Sequence, residues 1–65
     1  MIVINGEPRE EGAGKVLTDV LAEENYKAGQ VAVEINGEII SRSSFEETVI
    51  QDGDHMEVVS FVGGG

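Results

Sequence analysis

The group best placed for chemistry in this sequence is the carboxylate expected at the end of Gly63-Gly64-Gly65, directly after a run that alternates like a β-strand. Glycine has no Cβ and wide φ/ψ freedom, so such a tail is thin enough to thread a narrow cleft. Nothing on the chain would crowd an α-carboxylate at its tip. A frayed terminus or a cloning scar is the plainer alternative. A scar would more often mix glycine with serine or precede a tag.

Other candidates are weaker. The chain has no cysteine and a single histidine, and no two residues have metal-ligand spacing. His55 follows a turn aspartate and should stand at the solvent edge of the last strand, poorly placed for acid–base work. Glu23-Glu24 and Glu46-Glu47 are adjacent carboxylates, and adjacent residues do not converge on one helix face. They read as solvated surface. Gly12-Ala13-Gly14 lacks the spacing and the Lys-Ser/Thr of a phosphate loop. A catalytic pocket is not expected in 65 residues.

The elements that must position the tail follow from periodicity. Ile2 and Ile4 share one face of a strand over Met1 to Asn5, and Asn5-Gly6 is a hairpin signal because both turn residues need positive φ. Pro8 lacks an N–H and belongs on a sheet edge. Gly12 and Gly14 mark a loop. From Lys15 to Glu24, Leu17, Val20 and Leu21 fall on one helical face, with Asp19 near the N-terminus where its charge suits the macrodipole. No good N-cap residue precedes Val16. Asn25 and Gly29 bracket the helix end, and Tyr26 folds back on the core.

Val31 to Ile35 alternates again, and Asn36-Gly37 repeats the hairpin signal. The two-residue loop pairs Ile35 with Glu38 and Val33 with Ile40, which puts Val33 and Ile40 in the core and leaves Ile39 exposed. Ser44 and Glu47 have capping-box spacing for one turn of helix, with Phe45 beneath it. Asp52-Gly53 is a turn, and His55 to Val62 the last strand. There Met56 and Val58 share one face, Val59 and Phe61 the other. Two hairpins, an intervening helix and a terminal strand make an α+β domain of the ubiquitin-like β-grasp type. A mixed sheet of about five strands with one main helix across it is expected, with residues 1–62 as the domain and 63–65 as a flexible functional tail.

A chain of 65 residues has room for one domain with a modest core, and no disulfide can staple it. The apolar share of 40% argues against disorder. The longest apolar run, Met1 to Ile4, cannot cross a bilayer, and no secretion signal is evident, so a soluble cytoplasmic protein is expected. Thirteen acidic residues against four basic ones give a net charge of −9. That balance opposes nucleic acid or an anionic membrane as partner. It suits a basic protein surface, and it suits solubility alone about equally well.

Val31 to Gly65 resembles the ThiS family of sulfur carriers of thiamine biosynthesis. The resemblance is carried by Ile35-Asn36-Gly37-Glu38-Ile39, Arg42, Asp52-Gly53-Asp54 and the ending Val59-Ser60-Phe61-Val62-Gly63-Gly64-Gly65. It extends more loosely over the first thirty residues. Ser41, Phe45 and Val16 depart from the family's usual proline, tryptophan and helix-capping threonine. These differences touch loop stiffness and packing and leave the tail intact.

The resemblance implies a carrier with no stably bound cofactor. An E1-like adenylating enzyme of the ThiF/MoeB type would bind the fold and use ATP to adenylate the Gly65 carboxylate. A sulfur donor such as a cysteine desulfurase would then convert it to a thiocarboxylate. A thiazole synthase of the ThiG type would take the sulfur. The family also docks through the sheet face away from the helix. This makes Val59 and Phe61, with Glu34 at the rim, partner-binding candidates alongside Val62, Gly63 and Gly64. Ordinary exposed apolar surface is the alternative. Carriers for molybdopterin or an amino-acid pathway, ubiquitin-like protein modifiers and plain interaction domains are the competing classes. Molybdopterin carriers are usually longer, and modifiers usually carry a basic residue where Phe61-Val62 stand.

Overall fold

The computed structural model describes residues 1–61. Strands β1 (Ile2–Ile4) and β2 (Glu7–Arg9) form a hairpin through Asn5 at φ 52° and Gly6 at φ 83°. The second hairpin joins β3 (Val31–Ile35) to β4 (Glu38–Ile40) through Asn36 at 53° and Gly37 at 86°. Both are turns in which two consecutive residues take positive φ, a twist that matches the strands they join. Val33 opposes Ile40 and Ile35 opposes Glu38, in the expected register.

The last strand, β5 (His55–Ser60), runs between the hairpins, giving the order β2-β1-β5-β3-β4. It is parallel to β1 and antiparallel to β3, so the sheet is mixed. Helix α1 (Leu17–Glu23) lies across one face and buries Leu17, Val20 and Leu21 against the inward residues of the strands. This is the ubiquitin-like β-grasp. Pro8 sits in the edge strand β2, where its missing N–H breaks no ladder.

Several expectations need correction. The helix, whose start the sequence left open, begins at Leu17; Val16 before it is extended, and no side chain caps the helix start. A strand-like bridge takes over: Leu17 N–H donates to the Thr48 carbonyl at 2.7 Å, and Ile50 N–H to that of Lys15 at 2.8 Å. The bridge carries Ile50 into the centre of the core, fully buried, a position that no periodicity announced. Asn25 ends the helix in the left-handed region at φ 67°, whereas Gly29 belongs to a separate 3-10 turn, Ala28–Gln30.

The Ser44–Glu47 capping box does not form. A 3-10 turn over Arg42–Ser44 starts one turn earlier, and Glu47 N–H bonds the Ser44 carbonyl rather than its hydroxyl. Phe45 is buried beneath this turn as expected. Strand β5 stops at Ser60 because its partner β3 begins at Val31, opposite Ser60.

Where the ladders on β5 run out, two asparagine amides continue them. Asn5 Oδ1 accepts from Val58 N–H at 2.7 Å, and Asn5 Nδ2 donates back to the Val58 carbonyl at 3.2 Å. Asn36 Oδ1 accepts from His55 N–H at 2.9 Å, and Asn36 Nδ2 reaches Asp54 at 2.9 Å. Each asparagine therefore serves its own turn and the central strand together. Asn5→Gly separates these roles, since glycine keeps the positive φ and removes the amide. It should cost about 1–3 kcal/mol in urea denaturation, the range for stranding partly buried backbone groups. An unchanged midpoint would mean that water replaces the amide without penalty.

Candidate functional site

The site is built outward from β5. Period-two alternation buries Met56 and Val58 under the helix and turns Glu57 and Val59 to the opposite face. Val59 is 60% exposed and Phe61, just past the strand, 50%. Both lie on the open face, where the alternation put them. Val62, Gly63, Gly64 and Gly65 lie outside the described residues.

The chain is tied down as far as Phe61. Its N–H donates to the Gln30 carbonyl at 2.9 Å, one step beyond the last β3–β5 pair. The Arg42 guanidinium lies 5.9 Å from the Phe61 ring centroid, at the outer limit of a cation–π contact. The same guanidinium reaches the Val31 carbonyl at 3.5 Å. Arg42 thus links the 3-10 turn, the start of β3 and the exit of β5. Sequence reasoning marked Arg42 as a point of resemblance and gave it no role, since its contacts join segments distant in sequence.

Beside Phe61 the open face carries Ala32 and Glu34 from β3 and Ile39 from β4. Ala32 opposes Val59, Glu34 opposes Glu57, and Ile39 stands on the other side of Glu34. Together they line a shallow hollow of about 130 Å³. Ile39 is 79% exposed, the most exposed large apolar side chain among the described residues. It was expected outside the core but not beside Val59, because that neighbourhood depends on strand order. Glu34 sits in the middle of the face rather than at its rim.

The other candidates fall into structural roles. Gly12 approaches the Ile2 side chain so closely that a Cβ there would lie 2.5 Å from Ile2 Cδ1, and its φ is 125°. This explains Gly12 by packing, while Gly14 faces open space and takes a positive φ of 85°. Glu24 clasps Arg9 at 3.0 and 3.1 Å, and Glu23 binds Lys15 at 2.8 Å. These bonds, with Glu24 and Glu23 as the leading causes, raise the pKa of both cations and hold them charged. The surface is exposed, so the pairs add little stability. His55 is exposed, and no cluster of potential metal ligands occurs among the described residues. No described helix is long and apolar enough to cross a membrane.

This arrangement has relatives. A "Thiazole synthase" of Paramagnetospirillum magneticum is 42% identical over 64 residues, covering 98% of this chain and 20% of that protein. The chain likewise spans 20% of a thiazole synthase of Magnetococcus marinus, at 41% identity. The "Sulfur carrier protein ThiS" of Thermus thermophilus is 38% identical over 65 residues, 100% of both chains. The crystal structure of the thiamine biosynthesis protein ThiS from Geobacter metallireducens superposes with a TM-score of 0.78. It is 33% identical, over 98% of this chain and 97% of that one. The sequence model of the ThiS family matches residues 2–65, from the first core isoleucine through the glycine triplet, and the chain belongs to that family.

Proposed function

We propose that the protein is a sulfur carrier of thiamine biosynthesis and that the Gly65 carboxylate is its working group. The observation that carries this reading is the family match through residue 65, which takes in Gly63, Gly64 and Gly65. The protein is a co-substrate rather than a catalyst, and it works in the cytoplasm. The β-grasp domain docks on an E1-like adenylating enzyme through the face bearing Val59 and Phe61. Val62, Gly63 and Gly64 thread into that enzyme's ATP site.

A carboxylate is a poor electrophile until one oxygen becomes a leaving group. Attack of a Gly65 oxygen on the α-phosphorus of ATP expels pyrophosphate and leaves an acyl-adenylate. A sulfur nucleophile then displaces AMP. If the donor is a persulfide, the product is an acyl disulfide. A second thiol cleaves it, releasing the thiocarboxylate and leaving a disulfide on the donor side. The thiocarboxylate is a soft nucleophile at neutral pH and delivers sulfur to a thiazole synthase. A segment similar to this chain forms 20% of each of two proteins named thiazole synthase, which supports that partner. The carrier itself binds no cofactor stably.

Intact mass on protein from its native cells tests the reading directly. A fraction should carry one oxygen-to-sulfur exchange localised to Gly65. Unmodified protein alone, even with adenylating enzyme, ATP and sulfur donor supplied, would sink the carrier function. A ladder of lysine conjugates would indicate a protein modifier. Gly64→Val probes the threading, because a β-branched side chain would enter a channel shaped for bare backbone. Pyrophosphate exchange should fall by on the order of a hundredfold. The unfolding free energy should move by no more than about 0.5 kcal/mol. Normal exchange would mean that the carboxylate is not presented by threading.

Phe61→Ala probes the docking face. The ring is half exposed, so the fold should lose about 1 kcal/mol or less, mainly the Arg42 contact. An apolar anchor at an interface is worth about 2 kcal/mol or more, so adenylation should weaken well beyond that. Melting and exchange rates on the same samples separate the two effects. A collapsed melt would place Phe61 in the structural core rather than at an interface.

A further inference from the structure

The open face holds a feature that folding alone does not explain. Glu34 and Glu57 oppose each other directly on the neighbouring inner strands β3 and β5. Like charges in that position destabilise a sheet. Of the four basic side chains, Arg9 is held by Glu7 and Glu24, Lys15 by Glu11 and Glu23, Arg42 lies over Phe61, and Lys27 is exposed and paired with neither glutamate. No ion pair among the described residues involves Glu34 or Glu57, and Val62 to Gly65 bring no basic side chain. The pair is flanked by Ile39 on one side and by Ala32 and Val59 on the other, around the hollow of about 130 Å³.

We infer that Glu34 and Glu57 form a receptor for one arginine side chain of the adenylating enzyme, seated between the two carboxylates with its stem against Ile39 and Val59. This rests on the carrier reading and adds the chemistry of the docking contact. Charge complementarity selects the occupant. A chain of net charge −9 disfavours a second copy of itself at its acidic face. A guanidinium presents a planar fork of donors able to bond two carboxylates at once, and it sheds water more readily than an ammonium. The methylene stem of arginine covers apolar surface, as Ile39 and Val59 require. A cation seated between the two carboxylates offsets their like-charge opposition, which a purely solubilising pair would not need.

The test is the isosteric double variant Glu34→Gln/Glu57→Gln. Its melting temperature should hold or rise, because repulsion is removed. Its KM in pyrophosphate exchange should rise at least tenfold, while turnover at saturating carrier falls far less. The salt dependence of binding should flatten. Alanine replacement of the enzyme's surface arginines, one at a time, should reveal one whose loss is not additive with Glu57→Gln. Several outcomes would overturn the receptor. An unchanged KM would do so, as would a KM rise that follows a lowered melting temperature, or the lack of a coupled arginine. Concentration-dependent dimers of wild type in sedimentation equilibrium, lost in the double variant, would assign the face to self-association. If the wild-type chain is not adenylated at all, the carrier reading fails and this inference falls with it. If wild type is adenylated and the double variant matches it, only the receptor is wrong.

Discussion

Strand β5 is bonded on both sides, and its register sets every other placement in the molecule. It pairs with β1 in one direction and β3 in the other, so neither hairpin can shift without breaking a ladder. A slip of one residue would turn Met56 and Val58 outward and bring Glu57 and Val59 under the helix. Beyond the ladders the amides of Asn5 and Asn36 hold Val58 and His55, from opposite sides of the strand. Register is therefore specified by side chains as well as by the hydrophobic pattern. A core this small, without a disulfide, has little other means of enforcing it.

The same register divides the strand between a buried face and an open one. One face contributes Met56 and Val58 to the core; the other presents Glu57 and Val59 to solvent, with Phe61 next to them. A helix covers only one side of a single sheet, so in a β-grasp the uncovered side is available for a partner. Here the uncovered side combines apolar residues with opposed carboxylates. A surface optimised for the isolated fold would exchange one of those glutamates for a lysine. Retaining both makes sense where a partner supplies the missing charge.

Local chemistry made much of this legible. The Asn-Gly turns require positive φ within two residues, so both hairpins and the β3–β4 register could be read directly. Alternation placed Val33 inside, Ile39 outside, and Val59 and Phe61 opposite Met56. What escaped were pairings between distant segments. The Val16–Val49 bridge replaces a helix cap, and it buries Ile50 in a stretch with no period to read. The strand pattern of β5 continues to Val62, yet the strand stops at Ser60, because β3 has no residue before Val31 to pair with it. The meeting of Glu34 with Glu57 depends on the β3–β5 register, which no short turn dictates. Arg42 above Phe61 is invisible for the same reason.

Anchoring at Phe61 also bounds what a partner must look like. Its N–H is bonded to Gln30 and its ring lies under Arg42, so the domain holds the chain up to that residue. From Val62 to Gly65 an extended backbone spans at most roughly 14 Å, at about 3.3–3.6 Å per residue. Under the carrier reading, an adenylating site must approach within that distance of the edge of the docking face. Docking and chemistry are then geometrically coupled, since a displaced domain withdraws the carboxylate by a similar amount. Under that reading the hold on Phe61 would tie delivery of the Gly65 carboxylate to correct docking, and a misplacement of about 1 Å at a reacting group can cost a hundredfold in rate. The amides of Asn5 and Asn36, remote from the carboxylate, thereby bear on where it can be delivered.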